Sequence, residues 1–257
     1  HNTNKELALR NQEITSSLQY AKGIQLAILP KQVPFNNTLI FFRPKDIVSG
    51  DFYWFTTYKG IQYMAAIDCT GHGVPGAFMS FIGHTSLKKT VIEKDVTQPS
   101  EILCHLNEEV SSTLHKKEND QIRDGMDIGL VSYNPDTQIL HYAGGYIPLW
   151  LIRNHKLHEY KANRISVGQT KTDRTSFTNH TIHLEKGDSI YIMSDGYASQ
   201  FGGKEDMKFK TTNLKELILS IEKYNISKQH KILGNTLDNW MGDCEQVDDI
   251  LIIGRKF

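Results

Sequence analysis

The sequence predicts an α+β fold, and the order of its elements carries that prediction. Apolar runs come in blocks, strands then helices, many strands then helices, and a last strand, without the alternation a doubly wound sheet requires. Carboxylates beside glycine or a second carboxylate mark four strand ends, at Asp51, Asp68, Asp195 and Asp248-Asp249, far apart in sequence. At 257 residues the chain is long enough for one sizeable core, and it contains no internal repeat and no low-complexity segment.

Composition narrows the function. Lys plus Arg and Asp plus Glu both total 29, so the zero net charge gives no general argument for a nucleic acid or an anionic membrane surface as partner. Three widely spaced cysteines, Cys69, Cys104 and Cys244, make neither a disulfide framework nor a thiolate metal site and suit a reducing compartment. No run approaches the roughly 20 apolar residues of a spanning helix, and the N-terminus lacks the basic-then-apolar pattern of a signal peptide. A cytoplasmic location is expected, though a fragment of a longer membrane-anchored protein would read the same way.

Leu7, Ile14, Ala21 and Ile28 recur every seven residues, widened by Leu18 and Ile24, which predicts a helix ending at Pro30. The stripe suits either a coiled-coil seam, with Arg10 and Ser17 as poor companions, or packing on the chain's own domain. The chain opens in mid-pattern without a capping signal, so an upstream sensor domain is expected. This divides the chain into a linker-like helix over 1–29 and a main domain over 30–257.

Leu39–Phe42 and Phe52–Phe55 read as strands around Ser49-Gly50-Asp51, and Lys59-Gly60 turns into a third strand, Ile61 to Ile67, ending at Asp68. Gly71 and Gly73 then permit a turn closed to other residues, and Pro75 suits a first helical position. A carboxylate at such a corner, beside exposed backbone carbonyls, is a hard-oxygen site suited to Mg²⁺ or Mn²⁺. Helices follow over Pro75–Glu93 and Ser100–Lys116, then a charged loop, Lys117–Arg123, that reads as mobile. Met126–Tyr133, Ile139–Ala143, Leu149–Ile152 and Lys156–Tyr160 read as a meander of hairpins. Phe177–Leu184 and Ser189–Met193 read as a further hairpin through Glu185-Lys186-Gly187-Asp188. Beyond Ser194-Asp195-Gly196, Phe201-Gly202-Gly203-Lys204 is a flap or a plain connection. Helices over Asn213–Glu222 and Lys228–Trp240 precede the last strand, Ile250–Ile253.

Strands aligned in one sandwich bring the four Asp segments together. Like charges in an apolar setting raise one another's pKa, a cost that divalent cations remove. An all-Asp site without Cys matches a pair of Mg²⁺ or Mn²⁺ ions about 3.5–4 Å apart, the arrangement that activates water for in-line attack on phosphorus.

Ser49-Gly50-Asp51-Phe52-Tyr53, Asp68-x-x-Gly71-His72-Gly73-Val74-Pro75, Ser194-Asp195-Gly196 and Asp248-Asp249 resemble, in order, the motifs of the PPM family of metal-dependent serine/threonine phosphatases. The resemblance is closest to the bacterial SpoIIE/RsbU branch and extends from about Tyr20, through Ile24-Gln25 and Ile28-Leu29-Pro30, to the C-terminus. It implies a β-sandwich flanked by helix pairs, in αββα layers, with a dinuclear Mn²⁺ or Mg²⁺ centre at one end. It also implies that Asp68 is shared by both metals, with the Cys69 backbone carbonyl on one, and that Asp195 and Asp248 ligate the other. Asp51 resembles the acidic residue that holds metal-bound water. Asp249 is the less favoured ligand of its pair, because neighbouring residues of a strand face opposite sides.

Departures from the family pattern fall on substrate contacts rather than ligands: Trp54 replaces a common second Asp, Leu251 a Thr, and Ala143–Pro148 lacks a His-Asn pair. His72 reads as a general acid or as a turn-packing, hydrogen-bonding residue, and Thr70 holds the position where eukaryotic relatives carry their acid. Asp124 reads as surface charge, and Asp127 as either that or an accessory ligand. The other histidines show no metal-binding spacing.

The function these features imply is hydrolysis of phosphoserine or phosphothreonine by activated water, without a covalent intermediate. The substrate the resemblance implies is a phosphorylated protein, an anti-sigma-factor antagonist of the STAS type. A catalytically silent signalling module of the same fold is the alternative, and complete Asp ligands speak against it. The lack of a basic stripe disfavours a two-metal nuclease. A homodimer through the N-terminal helix is a further expectation.

Overall fold

A computed structural model describes residues 2–30, 33–71, 73–114, 124–168 and 176–257. His72, the Lys117–Arg123 loop and part of the Arg164–Thr175 segment lie outside the described residues. In chain order the elements are α1 (Asn2–Ile28), β1 (Thr38–Arg43), β2 (Phe52–Tyr58), β3 (Ile61–Cys69), α2 (Gly73–Lys88) with a wider π turn over Lys89–Glu93, and α3 (Pro99–Leu114). They continue with β4 (Met126–Asn134), β5 (Ile139–Gly145), β6 (Leu149–Arg153), β7 (Lys156–Tyr160), β8 (His180–His183), β9 (Ser189–Met193) and α4 (Gly196–Ser199). The chain closes with β10 (Phe201–Gly202), β11 (Met207–Lys208), α5 (Thr211–Ile221), α6 (Ile226–Met241) and β12 (Ile250–Lys256).

Two five-stranded antiparallel sheets, ordered β1-β12-β9-β6-β7 and β2-β3-β4-β5-β8, stack face to face. Side-chain alternation builds three apolar layers from them. Leu251 and Ile253 of β12 meet Met64 and Ala66 of β3 between the sheets. Ile250 and Ile252 turn outward onto Leu214, Ile218, Leu233 and Leu237 of α5 and α6. Ala65 and Ile67 turn outward onto Leu87 of α2 and Ile102, Leu103 and Leu106 of α3. The layering is the αββα sandwich expected.

Two connections differ from the expectation. β4 pairs β5 and β6 pairs β7, but β5 and β6 belong to opposite sheets, so there is no continuous meander. Gly144–Pro148 carries the chain across, braced by the Tyr142 hydroxyl donating to Ile147 O at 2.6 Å. Likewise β8 pairs β5 and β9 pairs β12 and β6, so Glu185–Asp188 is a crossover rather than a hairpin turn. Asp188 holds it by accepting from Glu185 N at 2.8 Å and from the Arg153 guanidinium. Turn composition is the same whether a strand pairs with its neighbour or changes sheet, so the pairing was not legible there. The glycine loop after α4 forms a small ribbon, β10 with β11.

Among the described residues, α1 is buried against the domain only over its last turns. Gln25 and Leu29 are buried, whereas Leu7 and Ile14, the first members of the heptad stripe, are 59% and 58% exposed.

Candidate metal centre

The corner after β3 exists because three backbone segments approach more closely than side chains allow. Gly71 and Gly73 have φ of +84° and +68°. A Cβ on Gly76 would lie 2.2 Å from Gly71 O and 2.8 Å from Gly50 Cα, and one on Gly50 would lie 2.6 Å from Gly71 O and 3.1 Å from Cys69 O. The corner therefore holds its carbonyls against the Ser49–Asp51 loop. Thr70 ties it to the start of β4, its N–H donating to Gly125 O at 3.0 Å and its hydroxyl accepting from Gly125 N at 2.9 Å. The Ser49–Asp51 loop is fixed from two further sides. Gln25 of α1 donates to Ser49 O at 2.6 Å and accepts from Ser49 N at 3.0 Å. Asp249 accepts from Lys45 N and Gly50 N, both at 2.8 Å.

Around this corner Asp51, Asp68, Asp127, Asp195, Asp248 and Asp249 form one linked set, each within electrostatic reach of at least one other. Asp51 is 2% exposed and its Oδ2 has no hydrogen-bond partner. Burial, then repulsion from Asp68, holds its carboxyl well above the usual range, against a hydrogen bond with Ser194. Burial, then Asp195, Asp248 and Asp127, push Asp68 up to about 8, against a hydrogen bond with Asp51. Asp248 is raised by burial and by Asp195, although it accepts the Asp249 N–H at 2.9 Å. Asp195 is exposed at the start of α4 and accepts from the Ser199 hydroxyl at 3.1 Å.

The strand register explains Asp127, which sits directly across from Asp68 on β4. Burial raises its carboxyl, as does Asp195, while the Ser166 hydroxyl donates to it and opposes the shift. A carboxylate two residues past the Asp124-Gly125 turn was visible in sequence; the β3–β4 pairing that brings it to Asp68 was not. Asp124 Oδ1 lies 3.2 Å from the Thr70 hydroxyl, at the edge of the corner. Trp54 and Leu251 stay in the apolar layers. Gln25, Ser166 and Ser194 supply hydrogen bonds that no sequence spacing announced.

Among the described residues, no three acidic, imidazole or thiol groups form a closed cage for an ion. The donor set nonetheless fits hard cations. Its members are carboxylates and main-chain carbonyls, one buried carboxylate oxygen is orphaned, and burial together with mutual repulsion raises the carboxyls of Asp51 and Asp68. The Cys69 thiol is buried and pushed well up by burial, which leaves its carbonyl as the group suited to a hard ion.

An αββα sandwich with a carboxylate cluster at one end is the architecture of PP2C-type phosphatases. The family model described as Stage II sporulation protein E (SpoIIE) matches residues 62–257, and the chain belongs to that family. It is similar to the phosphoserine phosphatase RsbU of Bacillus subtilis (strain 168), 28% identical over 259 residues, covering 95% of this chain and 72% of RsbU. It is also similar to the solved SiaA-PP2C domain of Pseudomonas aeruginosa, with a TM-score of 0.88 and 27% identity over 97% of this chain and 99% of that one. A crystal structure of RsbX in complex with magnesium shares the fold, with a TM-score of 0.57 and 15% identity over 85% of this chain and 99% of RsbX. The enzyme class is thereby protein serine/threonine phosphatase of the PP2C type. Among the described residues no helix is long and apolar enough to cross a membrane.

Proposed function

We propose that residues 30–257 form a metal-activated phosphatase domain and that residues 1–29 link it to an upstream sensor. In this reading Asp68, Asp195, Asp248 and the Cys69 carbonyl hold two Mn²⁺ or Mg²⁺ ions, and Asp127 is an accessory ligand. Two bound cations would supply the charge that offsets the phosphoryl oxygens and activates the attacking water. Asp51, whose buried Oδ2 has no hydrogen-bond partner, would orient the nucleophile. Asp249, with both carboxylate oxygens already engaged by main-chain N–H groups, positions the Gly50–Asp51 loop instead of ligating. In hydrolysis a water oxygen forms the new bond to phosphorus, the P–O bond to the seryl or threonyl oxygen breaks, and that oxygen takes a proton. The carboxylate cluster, with its orphaned buried oxygen, is the observation that carries this reading.

The substrate in this reading is a phosphoserine or phosphothreonine on a folded STAS-type anti-sigma-factor antagonist, in a cytoplasmic signalling pathway. The similarity to RsbU, named a phosphoserine phosphatase, supports the phosphoserine part. Selectivity would come from the rim, where the β10–β11 ribbon follows α4 directly and exposes Phe201 and Met207. The test compares kcat/KM for a phosphorylated STAS protein, a phosphotyrosine peptide and a small phosphate ester under the same Mn²⁺ concentration. A preference of at least roughly 100-fold for the STAS protein is expected. Equal values would overturn the substrate and leave the phosphatase.

A further inference from the structure

At the end of the sandwich remote from the aspartates, a cavity of about 450 Å³ opens between the two sheets. Arg255 and Gln62 line it. Both point inward by strand alternation. Arg255 follows Leu251 and Ile253 along the inner face of β12, and Gln62 precedes Met64 and Ala66 on that of β3. The Arg255 guanidinium lies 4.8 Å from the Phe35 ring centre, 5.3 Å from Tyr133 and 4.6 Å from Phe257. Among the described residues no carboxylate pairs with it, and its buried Nε and the buried Gln62 Oε1 both lack hydrogen-bond partners. Burial brings the guanidinium pKa down to about 10, which marks the cost of holding it there uncompensated.

Inward arginines are rare in apolar sandwiches, and an uncompensated one is expensive unless something supplies the counter-charge. The rest of the lining offers little. Glu185 is paired with Arg153 at 2.7 Å and Lys256 with Glu222 at 3.8 Å, and Lys186 adds positive charge to the rim. The Tyr133 and Phe257 rings that line the cavity favour a flat or apolar body behind the charged head, and the Gln62 amide, its Oε1 unpartnered, carries an N–H group able to donate to an anion.

We infer that this cavity is a binding site for a small organic oxyanion, a carboxylate or a phosphate ester, whose charged head meets Arg255 and whose body packs against Tyr133 and Phe257. The site is independent of the proposed metal centre. Gln62 and Asp68 lie toward opposite ends of β3, roughly 20 Å apart at about 3.4 Å per residue.

Titration calorimetry of the full chain with benzoate, and separately with inorganic phosphate, tests this and separates the two oxyanion types. At least one probe is expected to bind saturably, at least about tenfold more weakly in Arg255→Met and in Gln62→Leu, and undiminished in Asp68→Asn. If Arg255→Met fails to fold, Gln62→Leu decides alone. Absence of saturable binding by both probes overturns the inference. So does affinity kept within about twofold in the pocket variants, or affinity lost in Asp68→Asn, which would place the anion at the aspartates.

Discussion

Asp68 shows how one side chain ties stability to metal. Its carboxyl titrates near 8 in the folded chain, against its ordinary 3.8, because burial and Asp195, Asp248 and Asp127 oppose ionisation. The folded state therefore holds a proton that the unfolded chain releases above about pH 4, so the metal-free protein loses stability as pH rises from about 4 to 8. A bound divalent cation would remove that loss. Melting curves should show Tm falling over this window in chelator and recovering with Mn²⁺; a flat profile in chelator would contradict the repulsion. By the same argument Asp68→Asn should raise the metal-free Tm at pH 8, by roughly 2–4 °C per kcal/mol of relieved repulsion, while abolishing most turnover. Gly76→Ala acts oppositely. Its Cβ would meet Gly71 O at 2.2 Å, and a loss of about 1–3 kcal/mol in denaturant melts is expected, with weaker Mn²⁺ binding. Wild-type stability in that variant would show that the corner is not held by this approach.

At the scale of elements, the coupling between α1 and the centre runs through Gln25, whose amide grips Ser49 on both its N–H and its carbonyl two residues before Asp51. Gln25→Ala should lower kcat by about tenfold, near 1.4 kcal/mol, with KM little changed, because it loosens a positioning loop and not a substrate contact. Unchanged kcat would mean that α1 does not act through this contact. The sequence made most elements legible: the strand ending at Asp68 and the last strand read directly from apolar runs and their bounding residues. Pairing was less legible. Whether Gly144–Pro148 and Glu185–Asp188 turn back or cross over depends on which sheet the next strand joins, and tertiary packing decides that. The same limit left Asp127 open between surface charge and accessory ligand and hid Arg255, because the significance of each lies in the strand or cavity opposite it.

Over the whole molecule, the αββα layers place a repulsive acidic cluster at one end of the sandwich and an uncompensated arginine at the other, with α1 projecting from the acidic side. The exposed Leu7 and Ile14 continue the heptad pattern away from the domain, the surface that the expected homodimer would use. Sedimentation should show self-association that Ile14→Asp weakens; an identical monomer in both would contradict it. Every role proposed for the acidic end depends on the aspartates holding divalent ions. Crystals grown with Mn²⁺ and measured at the manganese absorption edge test this directly. Two anomalous peaks between Asp68, Asp195 and Asp248, lost in Asp68→Asn, are the predicted result, and no peak there, or peaks only elsewhere, would contradict the account.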